Sequence, residues 1–325
     1  MLITGVTGFA GSHLAEHLLS RGDEVHGLAH EDPPYPNLAA VAGRVLVHRG
    51  DITRLDDVLG AIAGSRPDAV VHLAGIAVPT QAAADPVAAV RVNVLGTATV
   101  LTALERHRAT RLVIASSADV YGAPERVPVG EDAPIRPANV YAATKVAAEA
   151  LAREFAARHA APVVILRPAN QNGPRQHPGL AASAFAQQIA KAEAGLADPV
   201  VRHGRLDAER DFIDVRDMAR AYAAALALPE GGTFNVGSGR AVAIAEILDT
   251  LVALARIPVR TELDPGRVRG GDPTRIALET ARFRQRTGWS PTIALADSLR
   301  DTLDYWRAAI QVYAHAGGQS PPRSR

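Results

Sequence analysis

The first eleven residues, Met-Leu-Ile-Thr-Gly5-Val-Thr-Gly8-Phe-Ala-Gly11, carry an apolar strand into a turn with glycine at every third position, and Ser12 to Ser20 continue with Leu14, Leu18 and Leu19 at helical spacing. Glycines in such a turn let the backbone approach a pyrophosphate, whose charge is met by the free N–H groups of the helix that follows. The spacing is G-x-x-G-x-x-G rather than G-x-G-x-x-G, and a glycine string alone could mark a simple tight turn. Context gives it weight: a strand before it, a helix after it, and a second strand at Glu24 to Ala29. A dinucleotide is the ligand that such a start accommodates.

Downstream, apolar runs at Arg44 to His48, Ala69 to Leu73, Leu112 to Ala115 and Val163 to Leu166 alternate with helix-period segments at Asp56 to Ile62, Pro86 to Arg106 and Val140 to His159. This βαβ alternation predicts an α/β fold, a doubly wound parallel sheet covered by helices on both faces, with ligands at the carboxyl ends of the strands. After Arg167 the pattern loosens into Pro168 to Gly179, too rich in turn formers for a regular element. We expect residues 1–166 to bind the dinucleotide, with 206–235 returning to that domain. A smaller interleaved lobe of 167–205 and 236–312 takes the substrate, and 313–325 form a flexible tail.

Composition narrows the function classes. Across 325 residues, 47% hydrophobic and 21% charged, there is ample material for a core. The 35 basic residues are spread along a chain of net charge +1, which argues against nucleic acid or an anionic membrane as partner. The absence of cysteine excludes disulfides, thiolate nucleophiles and cysteine–zinc sites. No signal peptide or membrane-spanning run is apparent, and the expected location is the cytoplasm.

The chemistry is carried by Tyr141 and Lys145, four apart and so on one helix face, with Ser117 at a strand end. An ammonium at that spacing can lower the phenol's pKa and let it exchange a proton with a sugar or alcohol oxygen. The sheet should bring Gly5, Ser117 and Tyr141 to one crevice. His13-Leu-Ala-Glu-His17 matches a zinc-peptidase string but lies on the helix after the glycine turn, where surface histidines between core leucines are expected, and no metal site is assigned. His72, in an apolar strand, reads as a satisfied core histidine, and Ser116 and Ser117 lack the G-x-S-x-G elbow of a hydrolase.

Ordered landmarks then run through most of the chain: Thr4-Gly-x-x-Gly-Phe-x-Gly11, Asp51-Ile52, His72-Leu-Ala74, Asn93, Ser116-Ser-Ala-Asp-Val-Tyr-Gly122, Tyr141-x-x-x-Lys145, Arg167-Pro-x-Asn170 and Arg210-Asp211. In these the chain resembles the extended short-chain dehydrogenases/reductases of the NAD-dependent epimerase/dehydratase type, a Rossmann-like family. Ser117 to Gly122, Asn170 to Ile189 and Leu206 to Asp217 are most similar to GDP-4-keto-6-deoxymannose reductases, which form GDP-rhamnose. The resemblance implies a cofactor site of Gly5, Thr7, Gly8, Phe9, Ala10, Gly11, His30, Asp51, Ile52, Leu73, Ala74, Gly75, Asn93, Tyr141, Lys145 and Arg167. It further implies that Tyr141 protonates the sugar's C4 oxygen, Lys145 holds the nicotinamide ribose, and Ser117 orients the reacting oxygen.

Asn170, Arg175, Arg210, Arg269 and Glu279 are implied as contacts to a GDP-linked sugar, the arginines as clamps on the two phosphates. Gly270 stands where the family places proline, which leaves the register of Arg267 against Arg269 open. The second strand ends Leu28-Ala-His-Glu-Asp32, with neither the usual carboxylate at Ala29 nor an arginine there. NADP is favoured and NAD also admitted. Asp119 occupies the position of a dehydratase glutamate, beside Ala118 where one subgroup adds an aspartate. Its alternative role is to cap the following turn. The leading expectation is a C4-ketone reductase; a GDP-mannose 4,6-dehydratase, a 4-epimerase and a non-catalytic NADP-binding protein are the alternatives. The family's homodimer, a four-helix bundle of Pro86 to Arg106 and Val140 to His159, is the expected assembly.

Overall fold

Apolar runs that need cover on both faces build the central sheet. The computed structural model describes residues 1–107, 111–268 and 275–315. Its first half alternates β1 (Leu2–Thr4), α1 (Phe9–Ser20), β2 (Val25–Ala29), β3 (Val45–Arg49), α2 (Leu55–Ser65) and β4 (Ala69–His72). There follow α3 (Pro79–Ala84), α4 (Pro86–Val90), a π-helical turn at Arg91–Leu95, α5 (Gly96–Arg106), β5 (Arg111–Ala115), α6 (Val140–His159) and β6 (Val163–Pro168). Beyond these come β7 (Asn170–Asn172), α7 (Ala181–Glu193), β8 (Val200–His203), β9 (Glu209–Asp214), α8 (Val215–Ala225), β10 (Gly232–Val236) and β11 (Ala241–Ala243). Last are α9 (Ile244–Ala253), β12 (Arg260–Leu263), β13 (Arg275–Ile276), α10 (Ala281–Thr287) and α11 (Leu295–His315).

Among the described residues seven strands form one parallel sheet in the order β10-β6-β5-β4-β1-β2-β3. The doubly wound fold expected from the sequence is therefore present. Strand alternation sends Ile3, Val71, Val113 and Val164 to one face, onto Leu14 and Leu18 of α1 and Met218 and Tyr222 of α8. It sends Leu2, Val70, Leu112 and Ile165 to the other, onto Leu104 of α5 and Ala148 and Phe155 of α6. The order of connections reverses between β1 and β4, which opens a crevice at the carboxyl ends of those two strands. Pro86–Arg106 is long and apolar enough on composition alone to cross a membrane, but half of it is buried within this fold.

A third core, with Phe185, Ile189, Phe212, Leu248, Leu303 and Trp306, fills the smaller lobe. The turn-rich run after Arg167 does contain a regular element, because Asn170–Asn172 pairs in parallel with Phe212–Asp214. Of the segment 206–235, α8 packs on α1 and β10 extends the large sheet beside β6, whereas β9 stays in the small sheet with β7, β11 and β13. Asp211 anchors it there: its carboxylate accepts from the N–H groups of Ser238 (2.9 Å), Gly239 (2.9 Å) and Leu278 (3.2 Å). β9 then runs directly into α8, whose N-cap is Asp214, accepting from the Arg216 N–H at 2.7 Å. α11 continues to His315, past the expected boundary at 312.

Candidate active site

The glycine turn fits a pyrophosphate by what its backbone leaves open. Gly8 is the N-cap of α1 and no side chain caps the helix, so its first-turn N–H groups face outward. Gly5 has φ +70°, and a Cβ on it would stand 2.8 Å from the Ala74 backbone; one on Gly11 would press into the Gly5 carbonyl. The turn thus lies directly against the end of β4. There the Thr4 hydroxyl receives the N–H groups of Leu73 and Ala74, both at 3.2 Å, and bonds His72 Nδ1 at 2.7 Å. His72, buried and with its pKa lowered to about 3 by burial first and the Lys145 charge second, is the satisfied core histidine expected.

Asn93 joins the crevice to the catalytic helix. The π-helical turn carries it inward, where Oδ1 accepts from Ile76 N–H (2.8 Å) and Nδ2 donates to the Thr144 hydroxyl (2.9 Å). A Cβ on Gly75 would lie 2.9 Å from that Oδ1 and 3.7 Å from Lys145 Nζ, so glycine turn, β4 end, Asn93 and Lys145 are contiguous. Asp51 caps its own turn through Thr53 N–H and hydroxyl, both at 2.8 Å; burial works to raise its pKa, and these donors bring the balance below the usual value. Ile52 is buried against Gly96.

Tyr141 sits in the first turn of α6, which Asn139 caps by accepting from Ala142 N–H at 2.8 Å. The Ser117 hydroxyl, hydrogen-bonded to the phenol, also accepts from Asp119 N–H at 3.1 Å as the cap of a 3-10 turn at Ala118–Tyr121. Ser117, not Asp119, is therefore the cap of that turn. Lys145 Nζ lies 5.9 Å from the Tyr141 ring centroid and donates to the Ala115 carbonyl at 2.9 Å. The expected lowering of the phenol's pKa by this ammonium is not what the geometry gives. Burial first and the Asp119 charge second push the phenol up, the Ser117 hydrogen bond partly offsetting them. Burial lowers Lys145 to about 8, against the opposing pull of Glu149.

Two arginines expected at ligands are turned elsewhere. Arg167, expected at the cofactor, is buried: Nε and Nη2 clasp Glu149 at 2.8 and 2.7 Å, and Nη1 reaches the Tyr121 hydroxyl at 2.8 Å and the Glu131 carbonyl at 3.0 Å. Arg175, at φ +72°, grips Glu16 of α1 at 2.6 and 2.9 Å and bonds His13, tying the loop after β7 to α1. His13 is itself buried, not a surface residue, and is lowered to about 4 by burial and then Arg175.

Asn170 is exposed at the start of β7, and Arg210 is half-buried on β9 with Nη1 on the Glu209 carbonyl at 2.9 Å. Glu279, exposed, accepts from Ala281 N–H at 2.7 Å. Arg269 and Gly270 lie outside the described residues. Just past the end of β2, His30 is exposed beside Glu31, whose carboxylate accepts from the Thr7 hydroxyl at 3.1 Å. An arginine absent from β2 is supplied by β3: Arg49, in register with Ala29, pairs with Asp32 at 2.8 Å. Strand pairing alone reveals Arg49, and the one-turn spacing after Lys145 was the signal for Glu149.

A buried phenol hydrogen-bonded to a strand-end serine, with Lys145 one turn on and a close-packed glycine turn opening an uncapped helix, matches the ordered landmarks of the extended short-chain dehydrogenases/reductases. The chain is an enzyme fold of that class. Its match to the family model described as GDP-mannose 4,6 dehydratase, over residues 2–302, is narrower still, and the chain belongs to that family. It is 34% identical to GDP-6-deoxy-D-mannose reductase from Pseudomonas aeruginosa over 96% of this chain and 98% of that protein. The solved structure of RMD from Pseudomonas aeruginosa complexed with NADPH superposes with a TM-score of 0.81 at 31% identity, over 94% and 98% of the two chains. UDP-glucose 4-epimerase from Thermus thermophilus in complex with NAD gives 0.85 at 32%, over 95% and 99%.

Proposed function

We propose that the chain reduces the C4 ketone of a GDP-linked 4-keto-6-deoxyhexose, taking GDP-4-keto-6-deoxymannose to GDP-rhamnose. One observation carries the reading: the buried Tyr141 phenol is hydrogen-bonded to Ser117 and lies beside Lys145 at the carboxyl end of the sheet, the position from which an acid meets a carbonyl. The similarity to GDP-6-deoxy-D-mannose reductase supports the substrate.

The nicotinamide dinucleotide, when bound, supplies the hydride. Gly5, Gly8 and Gly11, with Thr7, Phe9 and Ala10, hold its pyrophosphate; His30, Asp51 and Ile52 take the adenosine end; Leu73, Ala74, Gly75 and Asn93 line the groove. Lys145 holds the nicotinamide ribose, Ser117 orients the C4 oxygen, and Tyr141 gives it the proton. Asn170 and Arg210 take the sugar nucleotide, and Arg269 is proposed from the sequence with them. We favour NADP, with NAD also used, on the NADPH complex of the Pseudomonas aeruginosa relative and on Arg49, which is in register with Ala29 and whose guanidinium sits on Asp32 just past the end of β2. Residues 1–166 with α8 and β10 form the dinucleotide domain and the remainder the substrate lobe. The assembly we propose is a cytoplasmic homodimer through α4 to α6, supported by Val87, Val90 and Leu95, which stand 79%, 50% and 49% exposed on that face.

Asp119 favours a second reading, a GDP-mannose 4,6-dehydratase, because its charge lies close enough to act on Tyr141. Mixing the protein with NADPH or NADH and either GDP-mannose or GDP-4-keto-6-deoxymannose separates the two. Stoichiometric loss of reduced cofactor with the keto sugar alone is the expected result. Conversion of GDP-mannose with no net loss would establish the dehydratase instead.

A further inference from the structure

We infer that the buried pair of Arg167 and Glu149 is a positioning device for Ser117: it fastens both ends of the segment 116–121 and thereby sets where the serine hydroxyl meets the Tyr141 phenol. It rests on the proposed reading of Ser117 as the group that orients the reacting oxygen.

Ser117 stands between β5 and the 3-10 turn at Ala118–Tyr121 in extended backbone, φ −159° and ψ 151°, and a serine hydroxyl there has three staggered positions to choose from. The turn makes the choice: its Asp119 N–H donates to Ser117 Oγ at 3.1 Å, and the hydroxyl so placed is the one bonded to Tyr141. A single 3-10 turn has little stability of its own and has to be held from outside. Its far end is held by Tyr121, whose side chain is fully buried and whose hydroxyl accepts from Arg167 Nη1 at 2.8 Å and donates to Asn235 Oδ1 at 2.7 Å.

The near end is held by the other half of the pair. Ser116 donates its hydroxyl to Glu149 Oε1, the oxygen that also takes Arg167 Nε at 2.8 Å, while Arg167 Nη2 meets Oε2 at 2.7 Å. Glu149 lies on α6 two helical turns beyond Tyr141, and Arg167 lies on β6, which pairs with β5. One bidentate fork therefore ties the strand that leads into Ser117 to the helix that carries Tyr141. Stability alone does not call for it, since a buried ion pair can often be exchanged for well-packed apolar side chains without loss; what such a pair adds is direction. Here the direction runs to Ser116 and Tyr121, the two side chains that bracket the turn holding Ser117 and Asp119.

The test is a mutant cycle on Tyr121→Phe and Ser116→Ala, each alone and each combined with Ser117→Ala. Both release one end of the segment by removing a single hydroxyl, and both leave Arg167 and Glu149 in place, because taking either away strands a buried charge. Kinetics are measured with the sugar nucleotide that the wild type turns over, and NADPH affinity by fluorescence. Alone, each variant is expected to lower kcat by about 10- to 100-fold, the scale of a misplacement of about 1 Å, with KM and NADPH affinity unchanged. Combined with Ser117→Ala, neither lowers kcat further, because the residue through which it acts is gone. Equal fold-losses with and without the serine, the mark of a brace for the fold alone, overturn the inference, as does an unchanged kcat in whichever single variant folds. Crystal structures of the single variants with NADPH decide the same point without substrate: the Ser117 hydroxyl should leave the Tyr141 phenol, and an unmoved Ser117–Tyr141 hydrogen bond overturns the inference. A wild type silent with both GDP-mannose and GDP-4-keto-6-deoxymannose would overturn the proposed function instead, and the crystal structures would then settle the positioning.

Discussion

At the scale of single residues, a buried phenol hydrogen-bonded to Ser117 is placed to give a proton to a carbonyl. Tyr141→Phe removes that proton and almost no volume, so turnover should fall by about 10² to 10⁴ while the dinucleotide still binds with unchanged affinity. Steady-state kinetics beside a binding titration checks both halves, and retained turnover would remove Tyr141 from the role. Ser117, Tyr141 and Lys145 were legible in the sequence because helix spacing and strand ends fix positions. Arg167 and Arg175 were not, because a motif fixes where the backbone runs and not which way a guanidinium turns. Glu149, on a helix with many charged residues, looks like solvent-facing surface until Arg167 and Ser116 close over it.

Elements set how well those residues are held. Tyr141 lies in the first turn of α6, where helices fray, and the Asn139 side chain is what closes that turn. Asn139→Ala should therefore destabilise the protein by about 1 kcal/mol, seen as a melting temperature lower by a few degrees, and should lower kcat more than dinucleotide affinity. Equal losses in both would mean that the cap serves the fold alone. The large sheet was readable because buried parallel strands are continuous apolar runs. Asn170–Asn172 was not, since a strand of asparagine and glutamine exists through its pairing with Phe212–Asp214 and carries no apolar signature of its own. Arg49 is a similar case: its register beside Ala29 comes from the pairing of β2 with β3 and is invisible to a linear reading.

For the whole molecule, Val87, Val90 and Leu95 lie on a stretch long and apolar enough by composition to cross a membrane, which the sequence reading did not single out as such, and half of it is buried within the fold. Covering the exposed half with a second copy gives light scattering at twice the 34.1 kDa chain mass, and Val87→Asp with Leu95→Asp should return the monomer with its fold intact. A wild-type monomer would end the bundle proposal. Residues 206–235 were expected to return to the large sheet as a block, and β9 does not, because the Asp211 anchor that holds it in the small sheet is a long-range contact. The junction that follows has a mechanical consequence. Asp214 ends a strand of one lobe and caps a helix of the other, with no residue between them to absorb rotation. A tilt of β9 therefore carries α8 with it against α1, and on the proposed function that would tie the grip on the sugar to the grip on the dinucleotide.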